Sequence, residues 1–280
     1  MNLSRIKDAF LFHFFCPLFP FIFFASSLLA LPKTHQVKVG TATLSENGKH
    51  LHIVTGDKTI IHWKDFSINP GEIVRFIQPG KESAVLNRVT GGSPSKIFGT
   101  LKANGSLYLI NKHGVIIGKE GLVEVGNFLA STLDVRNSDF LNGKELLFNG
   151  KTQQEITNLG TIHAWDGTVT LLGFTVVNSG HIEADRVQMG AGHSILLKPD
   201  GEGIYIKTSS GEKGEVGISH TGTIHALETQ LKADGNLYAL AIKDDGIIDA
   251  GSFINRSGRV YLVGDGGTTE VGGFINAPKG

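Results

Sequence analysis

The sequence predicts an all-β fold, a right-handed parallel β-helix with an N-terminal β cap, on three observations. Short β-branched runs bounded by Gly, Asn or Asp fill the chain from Val37 onward. All 37 glycines fall at or after Gly40, about 15% of that region against a usual share near 7%. A Gly-anchored pattern also returns at intervals near twenty residues, and regular repetition in an all-β chain argues for winding rather than a sandwich.

Residues 1–30 stand apart from that pattern. Arg5 and Lys7 precede the apolar stretch from Ala9 to Phe24, then come Ala25, Ser26, Ser27 and Ala30 ahead of Leu31-Pro32. This is the order of a secretory signal peptide, with cleavage near Ala30. Pro17 and Pro20 would break a spanning helix, and the run is shorter than the roughly 20 residues a bilayer needs. The only cysteine, Cys16, lies in this segment. The mature chain therefore has no disulfide and no thiol chemistry. Its charge is balanced, 24 basic against 25 acidic residues, which gives no global pull on nucleic acid.

The strands follow in order: "VKVGTATLS", "LHIVTG", "TIIHW", "EIVRFIQ", "SLYLIN", "GVIIG", "LVEVG", "TVTLLG", "SILLK" and "GIYIKT". Helix is expected to be minor: "GNFLASTLDVRNSDFLNG" comes closest to a helical stripe, and its Gly, Asn and Ser argue against more than one turn. "NLGTIHAWDGTVTLLG" from Asn158 is answered by "NSGHIEADRVQMGAG" from Asn178, twenty residues on. "HTGTIHALETQLKADGNLYALA" from His220 lies 42 residues further, read as two periods, and "DDGIIDAGSFINRSGRVYLVG" continues from Asp244. "LKANGSLYLI" at 101 and "LKADGNLYAL" at 231 imply the same kind of rung early and late. Gly160, Gly180 and Gly222 are expected at corners needing left-handed or strained backbone, with Ile162, Ile182 and Ile224 pointing inward. "NKHGVIIG", from Asn111, reads as another corner; a phosphate loop would need a following helix, and a β run follows. Trp63 and Phe66 are expected to plug the open end of the β-helix or to form an aromatic docking patch for the transporter.

"IIHWKDFSINPGEIVRFIQP", "AVLNRVTGGSPSKIFGTLKANGSLYLINKHGVIIG" and "VEVGNFLASTLDV" closely resemble, in order and over about 57–135, the haemagglutination-activity or two-partner-secretion domain of filamentous-haemagglutinin-like exoproteins. The later repeats are similar to the high-molecular-weight adhesin branch. The resemblance implies a secretion domain over 31–145, continuing coils over 146–280, and passage through the periplasm to the cell surface or medium. It also implies an Omp85-type (TpsB) outer-membrane transporter as partner, a host-cell receptor or glycan for an adhesive or toxin-bearing shaft, and a monomer. The family's Asn-Pro-Asn-Gly-Ile motif falls on Asn111, Lys112, His113, Gly114 and Val115, of which Asn111 and Gly114 match and Val115 is conservative; a second motif, Asn-Pro-Asn-Leu, is absent. With Asn87, Arg88, Gly91 and Gly92 of "LNRVTGG" and Ala130, Ser131 and Thr132 of "LASTLDV", these residues form the implied recognition motif. The implied recognition step is strand addition by the segment Asn87 to Asn111.

The rival class is a carbohydrate-active β-helix enzyme, which wants clustered carboxylates. Asp244-Asp245-Gly246 is the best acidic pair and also ordinary turn chemistry; Glu183, Asp185 and Arg186 fit a groove or plain surface charge. His50 and His52 share a strand face, and His163 and His225 hold equivalent repeat positions, but no His or Cys partner has zinc-like spacing. No catalytic residue, cofactor or metal is assigned. Asn104 and Asn255 begin glycosylation sequons. The last residues, "INAPKG", suggest a third alternative, a shortened stand-alone surface module.

Overall fold

The computed structural model describes residues 31–198, 203–206, 217–234, 240–250, 258–265 and 268–278. The expected leader with Cys16, and the sequon at Asn255, lie outside the described residues. The fold is a parallel β-helix whose coils each give one short strand to each of three faces. The first face stacks His50–Thr55, Ile73–Ile77, Thr100–Ala103, Leu122–Val125, the leading halves of Thr161–Gly173 and His181–Ala191, then Thr223–His225, Ile247–Asp249 and Phe274–Asn276. The second stacks Thr59–Asp65, Ala84–Val89, Ser106–Ile110, Asn127–Ser131, the trailing halves of those two long strands, Glu228–Asp234 and Arg259–Asp265. The third stacks Ser95–Ile97, Val115–Ile117, Glu155–Asn158, Thr175–Asn178, Ile218–His220, Leu240–Asp244 and Thr268–Val271. Among the described residues the first two faces, together with the two N-terminal cap strands, form one 17-stranded sheet, and the third is a 7-stranded sheet.

Alternation along each strand fills the lumen. Val123, Ile162, Ile182, Ile224 and Ile248 align in register on the first face, each 0% exposed. Val115, Ile156, Val176, Ile218 and Ile242 do the same on the third. Each such side chain gains about 1.5–3 kcal/mol from burial, and the stack supplies what no single coil has. The inward Ile162, Ile182 and Ile224 are as the repeat pattern predicts.

The glycines beside them are there for a different reason from the one expected. Gly160, Gly180 and Gly222 are absent from the positive-φ residues. Instead they form a column with Gly121, Gly246 and Gly273 in which a Cβ would strike the backbone of the coil before: at Gly160 the carbonyls of Gly118 and Gly121, at Gly180 that of Gly160, at Gly222 that of Gly180. The carbonyls of the column glycines 121, 160, 180, 222 and 246 accept from the next coil, as His181 N–H donates to Gly160 O (2.8 Å) and Thr223 N–H to Gly180 O (2.9 Å). Close stacking of coils, not left-handed backbone, requires glycine there.

Two readings of the repeat are corrected. The 42-residue offset between Asn178 and His220 is one coil, since His181 pairs directly with Thr223. The extra length is an insertion. With a second insertion it builds a 4-stranded antiparallel sheet, Asp134–Val135, Leu146–Asn149, Ser194–Lys198 and Gly203–Ile206, with the short helix Asn137–Asn142. That helix is six residues, a little longer than the single turn expected. The insertions cover the second face through a separate apolar cluster of Ile60, Leu86, Leu129, Leu172, Phe140, Phe148 and Ile195, among others. "LKANGSLYLI" and "LKADGNLYAL" occupy different turns, with Leu101 on the first face and Leu231 on the second.

The N-terminal cap is made by Lys33–Val39, antiparallel to Thr59–Asp65, and Ala42–Asn47, antiparallel to His50–Thr55. These strands pair with the first coil, whose edge would otherwise recruit other chains. Trp63 and Phe66 are each 0% exposed and pack edge to face (5.5 Å between centroids) inside the lumen, so they form no docking patch.

Candidate functional site

The residues of the implied recognition motif fall at one place in the fold, the turn from the second to the third face in three successive coils. Asn87 lies inside it at 0% exposure: Trp63 Nε1–H donates to its Oδ1 (2.8 Å), and its amide donates to Tyr108 O (3.3 Å). A buried indole N–H and a buried amide thereby satisfy each other, which an apolar side chain at 87 would prevent. Gly91 is fixed by proximity, since a Cβ there would collide with the Lys64 carbonyl, whereas a Cβ at Gly92 meets nothing within 4 Å.

One coil on, Asn111 makes the corner. Its Nδ2 donates to Ser93 O and Ser95 Oγ (3.0 Å each), its Oδ1 accepts from His113 N–H (2.9 Å), and its carbonyl accepts from Gly114 N–H (3.0 Å). Gly114 has φ +106°, a conformation that strains any residue with a Cβ. Val115 then enters the lumen at 0% exposure. "NKHGVIIG" is a corner, as read. In the next coil Ser131, 0% exposed, caps its own turn by bonding the Leu133 carbonyl (2.9 Å) and N–H (3.0 Å). Thr132 N–H donates to Leu172 O (3.0 Å), and its buried Oγ1 has no hydrogen-bond partner.

Arg88 points outward and holds partners that no local pattern foretells. It donates to Asp134 Oδ1 (2.9 Å), Asn137 Oδ1 (2.8 Å) and Val135 O (2.7 Å), with His62 Nε2 at 3.1 Å. Burial, with Arg88 and Lys38 beside it, lowers the His62 pKa, so the neutral ring is the form that accepts from the guanidinium. The planar fork pins the first insertion onto the second face.

The opposite corner, from the third face to the first, carries a ladder of wholly buried polar side chains. Asn158 Nδ2 donates to Asn178 Oδ1 (2.8 Å), Asn178 Nδ2 lies 3.1 Å from His220 Nδ1, and Asp244 continues the register. Desolvation pushes the Asp244 carboxyl up, against the pull of His220 and of the Gly246 N–H that binds its Oδ1 (3.2 Å). Asp245, by contrast, pairs with Lys243 at the surface (3.2 Å). The two aspartates thus have separate surroundings instead of facing one groove. Arg186 Nε lies 3.7 Å from Glu228, Glu183 lies 3.6 Å from the His163 ring, a pair of ions only where that ring is protonated, and Asp185 is exposed.

Outward on the first face, one register column carries Arg75, Lys102, Glu124, His163, Glu183, His225 and Asp249. His181 stands beside it, its ring centroid 6.0 Å from His163 and 5.4 Å from His225. Ligand atoms of His163, His181 and Glu183 lie within 4.8 Å of one another. The spacing rule applied to the sequence missed this group because its members come from neighbouring coils. His50 and His52 are exposed on the same face, His52 heading this column opposite Arg75, four coils before His163. Asn104 of the first sequon exchanges hydrogen bonds with the Gln78 backbone (2.7 and 2.9 Å).

The family profile described as "TPS secretion domain" matches residues 30–273. The chain belongs to this family of two-partner-secretion domains. Two proteins named "Heme/hemopexin-binding protein" from Haemophilus influenzae are similar to it. One is 32% identical over 89% of this chain and 30% of its own length, the other 30% identical over 84% and 28%. The chain thus spans about three tenths of those relatives. The secretion domain of HMW1 from Haemophilus influenzae superposes with TM-score 0.65 at 29% identity, covering 88% of this chain and 66% of that one. The filamentous hemagglutinin secretion domain shares the fold alone, at TM-score 0.56 and 13% identity over 88% of this chain and 96% of its own. The TPS domain is a secretion module of exoproteins delivered to the cell surface or the medium, its family is not one of enzymes, and membership implies a TpsB-type transporter as partner.

Proposed function

We propose that the transporter reads this TPS domain before it folds, through the segment from Asn87 to Thr132, and that the same residues then close the corner from which the β-helix winds outside the cell. One observation carries the reading: Asn87, Asn111 and Ser131 are 0% exposed and Thr132 1%. A partner cannot touch these side chains once the coils are stacked. The strands between them, Ala84–Val89 and Ser106–Ile110, also have neighbours on both sides in the folded sheet. Strand addition to the transporter's periplasmic domains therefore needs the extended chain, with main-chain bonds supplying affinity and side chains supplying register.

Residues 31–145 form the recognition and nucleation part in this reading, and 146–280 the coils that propagate from it. The passenger beyond the TPS domain binds the host ligand, a receptor, a glycan or, as the relatives' names indicate, haem or hemopexin. The secreted chain is a monomer. A peptide spanning 85–132 should bind the purified periplasmic domains of the partner transporter more tightly than the folded domain does, and Asn87→Ala with Asn111→Ala should weaken it. Equal or tighter binding by the folded domain would overturn the proposal.

A further inference from the structure

We propose that His163, His181 and Glu183 form a binding site for a divalent transition-metal ion, of the zinc or copper class, on the outer side of the first face. Two imidazoles and a carboxylate are a donor set that such ions prefer over the oxygen ligands of calcium or magnesium. Their ligand atoms lie within 4.8 Å of one another, and a tetrahedral ion with bonds of 2.0–2.1 Å asks for about 3.4 Å between ligands. Small side-chain rotations close that gap.

Ordinary ion pairing does not account for the cluster. His163 Nδ1 is a buried atom with no hydrogen-bond partner, 3.6 Å from Glu183 Oε2. That contact is an ion pair only when the ring is protonated, and a third imidazole, His225 on the next coil, stands 5.4 Å from His181. Each imidazole can offer one ring nitrogen and Glu183 its carboxylate oxygens, so the three side chains present ligands that a single cation can gather. The site is also reachable, because His181 lines an open groove of about 560 Å³ with Thr161, Thr223 and the glycines 160, 180 and 222.

The ligands come from two coils whose strands are in direct register, His163 opposite Glu183 and Thr161 opposite His181. The ion would therefore bind the stacked state in preference to the unfolded chain, where the two histidines are 18 residues apart, and would clamp this pair of coils in register. The inference is independent of how the transporter reads the domain.

The test uses the secretion domain, residues 31–280, untagged and stripped of metal. The His163 ring packs edge to face on Trp165 (5.0 Å between centroids), and Trp165 is 61% exposed. Trp63, the only other tryptophan, is buried in the first coil. Copper(II) should therefore quench emission with a saturable, one-to-one curve, and zinc should compete it away and raise the unfolding temperature. His181→Ala and Glu183→Gln should each weaken binding by about tenfold or more, Trp165→Phe should remove the optical signal while calorimetric binding persists, and His50→Ala should change nothing. A titration that never saturates, or an affinity unchanged in His181→Ala and Glu183→Gln, would overturn the proposal.

Discussion

The outer sides of the first and second faces are built by the same coils and look nothing alike. The first presents a charged register column from Arg75 to Asp249. The second presents Ile60, Leu86, Leu129 and Leu172, buried under the sheet and helix of the two insertions. Alternation fixes which residues point outward, and what covers a face decides their polarity. An apolar outward row in a β-helix therefore points to a cover, and the place to seek it is wherever the repeat spacing stretches.

The difference between the two faces can be broken most readily at the cover. Phe148, 0% exposed in the insertion, should cost about 3–5 kcal/mol when changed to Ala, while Arg75→Ala on the bare face should stay within about 0.5 kcal/mol. Denaturant unfolding of both variants measures this, and similar costs would erase the distinction. Arg88→Ala cuts the clamp between cover and coil. A loss of about 2–3 kcal/mol is expected from its charge-assisted hydrogen bonds, and Arg88→Lys should recover only part because an ammonium lacks the fork.

Asp244 sharpens the comparison from the inside, as a carboxyl in a ladder whose other members are the amides of Asn158 and Asn178 and the imidazole of His220. Burial raises its folded pKa, so the fold favours the protonated acid. Its contribution is largest at acid pH and declines as pH rises from the unfolded value, about 3.9, through the raised folded one. Asp244→Asn should abolish that decline and stabilise the domain by about 1 kcal/mol at neutral pH; thermal melts across pH test the sign. The smallest effect belongs to the surface pair Lys102–Glu124: removing either partner should cost under about 1 kcal/mol, and less in high salt.

The coil and its inward isoleucines were legible because a repeat prints the same residue at the same place in each turn. Asn111 and Gly114 were legible as a corner for local reasons, an Asx bond and a positive φ. What escaped was everything set between coils. The glycine column answers to the backbone of the neighbouring rung, Arg88 to partners 46 to 49 residues away, and the second-face cover to an interval that reads as two periods when only offsets are counted. The His163, His181 and Glu183 group was missed in the same way: in a β-helix the ligand spacing is the coil length, not the turn of a helix or a knuckle.

Reading before folding is the central claim, and a disulfide lock across the recognition segment tests it most directly. Lys102 and Glu124 are opposed in register on adjacent strands of the first face, and residues 31–280 contain no cysteine. The double variant Lys102→Cys with Glu124→Cys places its thiols at bridging distance once the coils stack, in a periplasm that oxidises them. If the chain is recognised and threaded unfolded, the oxidised double variant should accumulate in the periplasm of cells carrying the transporter, and reductant should restore its release while either single variant is secreted normally. Undiminished secretion of the cross-linked chain would contradict the account.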